Sequence, residues 1–146
     1  MSEGKLTQKT KAKAAEQKTL DSWEILRGDD LLASDTLRAV PVATPEFKAG
    51  SRVFVAELSA DERDEFETAW QEHKQALGED DNVGFRAFTA AYCLCDEKRY
   101  RTFAGREAEA AAAIGKRNGK ATGRIFNTAC RINGLTKSDI DELEGN

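Results

Sequence analysis

The sequence predicts a mainly α domain with a short N-terminal β-hairpin, a compact body of four to five helices. Three observations carry this expectation. Apolar residues recur at helical spacing through most of the chain beyond Leu58. Just before that point, β-branched residues gather around Pro41, Pro45 and the turn-like Lys48-Ala49-Gly50-Ser51. The length of 146 residues suits one core, because a domain of about 150 residues buries roughly 70 % of its unfolded surface.

Residues 1–20 set Lys5, Lys9, Lys11, Lys13 and Lys18 among small and polar neighbours, with almost no large apolar side chains to offset the entropy of ordering. They are expected to form a flexible basic tail, and residues 21–146 a single domain. Leu20 to Leu26 is a short apolar cluster that either opens the fold or docks elsewhere; the first reading is favoured. The hairpin is expected over about 38–58. Proline removes a ladder donor, so the strand around Pro41 belongs at an edge.

Ser59-Ala60-Asp61-Glu62 reads as a capping box that starts a helix over about 60–77. Asp61, Glu62, Asp64 and Glu65 complement the positive end of its dipole, and Phe66, Trp70, His73 and Leu77 share one face. Gly78 is the expected stop. A helix over about 82–95 carries Val83, Phe85, Phe88, Ala91, Tyr92, Leu94 and Cys95 around most of its circumference, which places it at the centre of the body. An alanine-rich helix over about 105–117 is interrupted by Gly115, Asn118 and Gly119, with either a break or a kink to follow. Two more are expected at 121–133, stopped by Asn133-Gly134, and at 137–143, capped by Thr136 or Ser138.

Apolar residues at 40 % beside charged residues at 33 % describe a core with a strongly solvated exterior. The longest apolar-leaning stretch, Val83 to Cys95, is broken by Arg86 and falls short of the ~20 residues a spanning helix needs. The first residues lack a secretory pattern, so a cytoplasmic location is expected. Cys93, Cys95 and Cys130 are an odd set and read as reduced, packed thiols. The net charge of −4 argues against general nucleic-acid affinity.

No enzyme constellation emerges. The single histidine, His73, lies on an aromatic stripe, where a packed imidazole is favoured over a base or ligand. Cys93-Leu94-Cys95 has no second pair, and helical neighbours two apart do not face each other. Gly115, Gly119 and Gly123 lack the setting of a phosphate loop and suit close helix approach instead. No catalytic residue, cofactor or metal is therefore expected. Lys116, Arg117, Lys120, Arg124 and Arg131 form a basic stretch in an acidic chain; a solvated helix face is favoured over a phosphate-binding patch, since no aromatic platform accompanies it.

Three stretches carry a family resemblance. Arg52-Val53-Phe54-Val55-Ala56-Glu57-Leu58-Ser59-Ala60-Asp61-Glu62-Arg63-Asp64-Glu65-Phe66-Glu67 resembles the strand-to-helix start of tail assembly chaperones of long-tailed, siphovirus-type phages and prophages. Phe85 to Glu97, followed by Phe103, is similar to that family's central helix and acidic turn. Arg124 to Thr136, then Ile140 to Leu143, looks like its ending of helix, asparagine-glycine-leucine and short helix. Together they span about Arg38 to Asn146. Where family members carry a glycine-containing turn after the acidic pair, this chain has Lys98-Arg99-Tyr100.

The resemblance implies a non-enzymatic chaperone that binds and solubilises the tape-measure protein, recruits tail-tube subunits during tail morphogenesis and is absent from the mature virion. It also implies a frameshift-extended form. Homo-oligomerisation is a further expectation. Trp23, Phe54, Trp70, Tyr100 and Phe103 are the candidate anchors, because large aromatics dominate interface energy; a core position is the competing reading for each. The rival functions are a structural tail or connector subunit retained in the virion, and a small nucleic-acid-binding regulator using Lys116 to Arg131 and the lysine-rich tail.

Overall fold

The computed structural model describes residues 19–77 and 84–145, and the chain divides into two units, Met1–Asp35 and Thr36–Asn146. The expected flexible tail lies outside the described residues except for its last two, and so do the expected stop at Gly78 and the helix start near Asp81 or Asn82. Of the first unit, residues 19–35 are described. They are helical at 19–21 and again in a single turn, α1 (Gly28–Leu32), whose start is held by the Arg27 N–H donating to Asp30 Oδ2 at 3.2 Å.

The second unit is mainly helical with a small sheet. Strands β1 (Ala39–Ala43) and β2 (Arg52–Ala56) pair antiparallel, with Val40 opposite Val55 and Pro41 opposite Phe54. The turn closes through the Thr44 N–H to Ser51 O at 2.9 Å and a hydroxyl pair, Thr44 and Ser51, at 2.8 Å. Gly50 stands at φ 74, the left-handed geometry that costs glycine little. β1 is an outer strand, which is where a proline that cannot donate is tolerated.

Helix α2 (Ala60–Ala76) begins with the expected capping box: the Ser59 hydroxyl accepts from the Glu62 N–H at 3.2 Å, and Glu62 Oε1 accepts from the Ser59 N–H at 2.9 Å. Helix α3 (Phe85–Cys93) is buried on every side except Arg86 and packs against α4 (Glu107–Ile114) and α5 (Gly119–Ile132). It ends two residues earlier than periodicity suggests. Leu94–Cys95 forms a strand instead, β3, which pairs with the free edge of β2 through Phe54 opposite Cys95 and Val55 opposite Leu94. The backbone groups of that edge need partners once buried, and this long-range demand overrides local helical preference.

Gly115 ends the alanine-rich helix outright. A Cβ there would stand 3.2 Å from Ala111 O of its own helix and in ordinary contact, 3.6 Å, with Ala87 Cβ of α3, so the tight spot lies within α4 rather than between helices, and Gly119 has nothing within 4 Å. The Asn118 side chain caps α5 by accepting from the Lys120 and Ala121 N–H groups. The C-terminus of α5 closes with Gly134 at φ 64 and the Leu135 N–H returning to Cys130 O at 2.9 Å, a Schellman arrangement. Thr136 and Asp139 then cap α6 (Lys137–Gly145) reciprocally, at 2.9 and 3.1 Å.

The centre is an aromatic cluster. Phe66 meets Phe85, Phe88 and Tyr92 at ring-centroid distances of 5.9, 6.1 and 5.1 Å, and Trp70 meets Phe85 and Phe88 at 5.1 and 5.4 Å. His73 stacks on Phe88 at 4.8 Å with its Nε2 buried and unpartnered. Burial disfavours the imidazolium and pushes the His73 pKa below its ordinary 6.5. A base with a depressed folded pKa costs stability as pH falls, because below 6.5 the unfolded chain takes up a proton that the folded chain refuses. Urea unfolding between pH 7 and 5 should therefore show declining stability, and His73→Gln should flatten that slope. Glu46, held at a pKa of about 2 by hydrogen bonds from Arg124, acts in a separate window. Its contribution is present above its ordinary 4.5 and lost as pH falls from there through about 2.

Candidate functional site

Three groups of residues bear on function. The first is the set of aromatic candidates. Trp23 is 63 % exposed and Tyr100 71 %. Phe54 and Phe103 are half-buried; the Arg52 guanidinium lies 5.0 Å above the Phe54 ring, and Phe103 packs against the core. Trp70 is not a surface anchor, being 3 % exposed with its indole N–H donating to Leu143 O at 2.8 Å. Its stripe is covered by α3 and by the end of α6. Leu20, Ile25 and Leu26, in the cluster expected to open the fold, are exposed, and so are Leu31 and Leu32, which sequence reasoning passed over; the signal for those two was apolar density between charged residues.

The second group is the basic stretch, which does not act as one patch. Arg124 forms a double ion pair with Glu46, at 3.0 and 2.8 Å, and donates to Ala43 O, so it fastens the hairpin turn to α5. The Arg117 guanidinium lies 4.2 Å over the Phe47 ring. Lys116, Lys120 and Arg131 are exposed. Arg86, not counted in the stretch, lies 5.1 Å over Phe126 and lines a recess of 230 Å³ with Ala87, Ile114, Arg117 and Thr122. The one charged side chain on an otherwise apolar helix was the available clue to it.

The third group joins the first and last of the stretches that carry the resemblance. Asn133 Oδ1 accepts from the Leu58 N–H at 2.7 Å, its Nδ2 donates to Ala56 O at 3.1 Å, and its own carbonyl accepts from Arg63 at 2.9 Å. Arg63 also faces Asp139 at 3.6 Å. Arg99 reaches the same corner, donating to Glu57 O at 2.9 Å and to Glu62 Oε1 at 2.7 Å. Burial works to raise the Glu62 pKa, but the Ser59 N–H and the Arg99 guanidinium outweigh it and hold the carboxyl below its ordinary value. A strand-to-helix start and an asparagine-glycine ending thus meet in one polar junction, which Arg99 joins from the turn after Asp96 and Glu97.

Within it, Arg99 has φ 73, and no other described non-glycine residue has positive φ. Asp96 Oδ1 accepts from the N–H groups of Lys98 and Tyr100, at 2.8 and 3.0 Å, which drives the turn tight. The left-handed conformation costs about 1–2 kcal/mol for a side-chain-bearing residue, and the two guanidinium contacts offset it. Arg99→Ala should lose the contacts and keep the strain, while Arg99→Gly loses the contacts and relieves it. Urea unfolding should place the glycine variant about 1 kcal/mol above the alanine variant.

The thiols are buried and free of disulfides. Burial pushes Cys93 up to about 12 and Cys95 to about 11, and also raises Cys130, so each remains protonated and inert at neutral pH. Among the described residues, no helix is long and apolar enough to cross a membrane, and no cluster of His, Cys, Asp and Glu could hold a metal ion. No family model, characterised protein or solved structure matches the chain.

Proposed function

We propose that this protein is a phage tail assembly chaperone, which binds and solubilises the tape-measure protein and helps to recruit tail-tube subunits. The observation that carries the reading is the junction around Asn133. Three separate stretches resemble that family in residue order, and the first and last of them, some seventy residues apart, bond directly at this corner, where Arg99, from the turn in which the chain departs from the family, joins them. Residues that define a family's frame are expected to meet in space, whereas chance likenesses scattered along a chain have no reason to. Fold and function remain separable, so the assignment of partners rests on the resemblance itself.

The test is co-expression with the tape-measure protein encoded in the same genome, with any frameshift-extended form supplied. The expected result is a soluble tape-measure protein that co-purifies with this chain. An insoluble tape-measure protein beside a folded chain overturns the reading. Recovery of the chain from purified particles would replace it with a structural tail subunit. The nucleic-acid alternative gains nothing from the site, because Arg124 is already paired with Glu46 and Arg117 lies on Phe47.

A further inference from the structure

The described residues expose seven large hydrophobic side chains, and six of them fall in the span 20–32: Leu20, Trp23, Ile25, Leu26, Leu31 and Leu32. Tyr100 is the seventh. Such density is unusual. Isolated exposed apolar residues are normal, whereas contiguous ones mark interaction surfaces. Leu32 at 85 % and Ile25 at 75 % exposed are almost wholly in water, and fully burying each such side chain is worth about 1.5–3 kcal/mol.

Charge says what would cover them. Asp21, Glu24, Asp29 and Asp30 stand between these residues, with Arg27 as the one cation. The carboxylates interrupt the apolar residues rather than flanking them, so any surface that takes the apolar groups also meets the charges. An acidic or neutral apolar surface would desolvate them without recompense. A surface that offers an apolar stripe bordered by lysine or arginine satisfies both demands, and favours the right partner at long range as well. The span presents helical backbone at 20–21 and 28–32 and no strand, so side chains rather than an extended backbone edge do the recognising.

We propose that Leu20–Leu32 is a docking sequence for a basic amphipathic helix of another protein. The inference stands apart from the tail-assembly reading, since it uses none of the residues of the Asn133 junction. Trp23 supplies the readout. It is exposed while Trp70, the other tryptophan, is buried, so a change in the emission and acrylamide quenching of the exposed class reports on this segment. The probes are two synthetic helical peptides with one leucine stripe in common, bordered in one by lysine and in the other by glutamate.

With the full-length chain at low salt, the lysine peptide should shift the exposed tryptophan emission to the blue and shield it from quenching. It should bind about tenfold or more tightly than the glutamate peptide, and the preference should shrink at 1 M salt, where the Debye length is about 3 Å. Leu26→Ser combined with Leu31→Ser keeps both the charge and the reporter, and should abolish the shift while the far-ultraviolet circular dichroism is unchanged. Equal binding of the two peptides, no shift with the lysine peptide, or a shift that survives the double substitution would each overturn the proposal. So would shielding of Trp23 that grows with protein concentration alone, which would make the occupant a second copy of this chain, or shielding already complete in the dilute protein.

Discussion

Trp70→Ala is expected to cost about 3–5 kcal/mol, the range for removing a large aromatic from a packed core, out of a total that for most domains is about 5–15 kcal/mol. The indole is 3 % exposed, meets Phe85 edge-on at 5.1 Å and Phe88 at 5.4 Å, and donates to Leu143 O. Its loss opens a void beside α3 and frees the end of α6 together. Lys74 Nζ also donates to Leu143 O, at 2.9 Å, and stands 5.7 Å over the indole ring. Trp70→Phe shifts the balance between the two effects: it removes the donor but only part of the ring volume, for about 1–3 kcal/mol.

Urea unfolding should show a lower midpoint at unchanged slope for both variants. Amide exchange should show the phenylalanine variant opening first over α6, whose Ile140 and Leu143 are only partly buried. A surface anchor would behave otherwise. Its removal would leave stability within about 0.5 kcal/mol and weaken partner binding alone.

Trp70 also shows where sequence reading stops. The stripe of Phe66, Trp70 and His73 marks an apolar face, yet periodicity does not say what covers that face. Here the covering comes from α3 and from Leu143, more than seventy positions further on. Local codes were legible because their partners lie within a few residues: the Ser59 and Glu62 box, the left-handed Gly134 and the edge proline of β1. Leu94–Cys95 was read as the end of a helix because its pairing is with β2, some forty residues earlier.

The candidate site divides in the same way. Trp23 and Tyr100 are exposed, as anchors must be. Arg124 looked like part of a solvated basic face. Its carboxylate partner, Glu46, sits in a turn far away in sequence, and the pairing was visible only once the hairpin was placed against α5. The same holds for Arg99, whose left-handed turn is stabilised by contacts with Glu57 and Glu62.

Asn133 is the residue at which these long-range demands coincide, and Asn133→Ala is expected to cost about 2–4 kcal/mol. Two backbone groups lose their partner at once: the Leu58 N–H, bonded at 2.7 Å, and the carbonyl of the fully buried Ala56, at 3.1 Å. Each unsatisfied buried group costs about 1–3 kcal/mol. Asn133→Asp should be at least as damaging, because a carboxylate still accepts from Leu58 but turns a negative oxygen toward the Ala56 carbonyl at the negative end of α5. Asn127→Ala on the exposed face of the same helix provides the contrast, with an effect within about 0.5 kcal/mol. If Asn133 acted only as the stop for α5, Gly134 at φ 64 would preserve that stop without it, and Asn133→Ala would cost no more than an ordinary cap. A loss near 1 kcal/mol or below would therefore show that the strand-to-helix start and the asparagine-glycine ending are neighbours without being coupled. A loss in the expected range, accompanied by faster amide exchange at Leu58 and across the start of α2, would show the junction to be the lock between them.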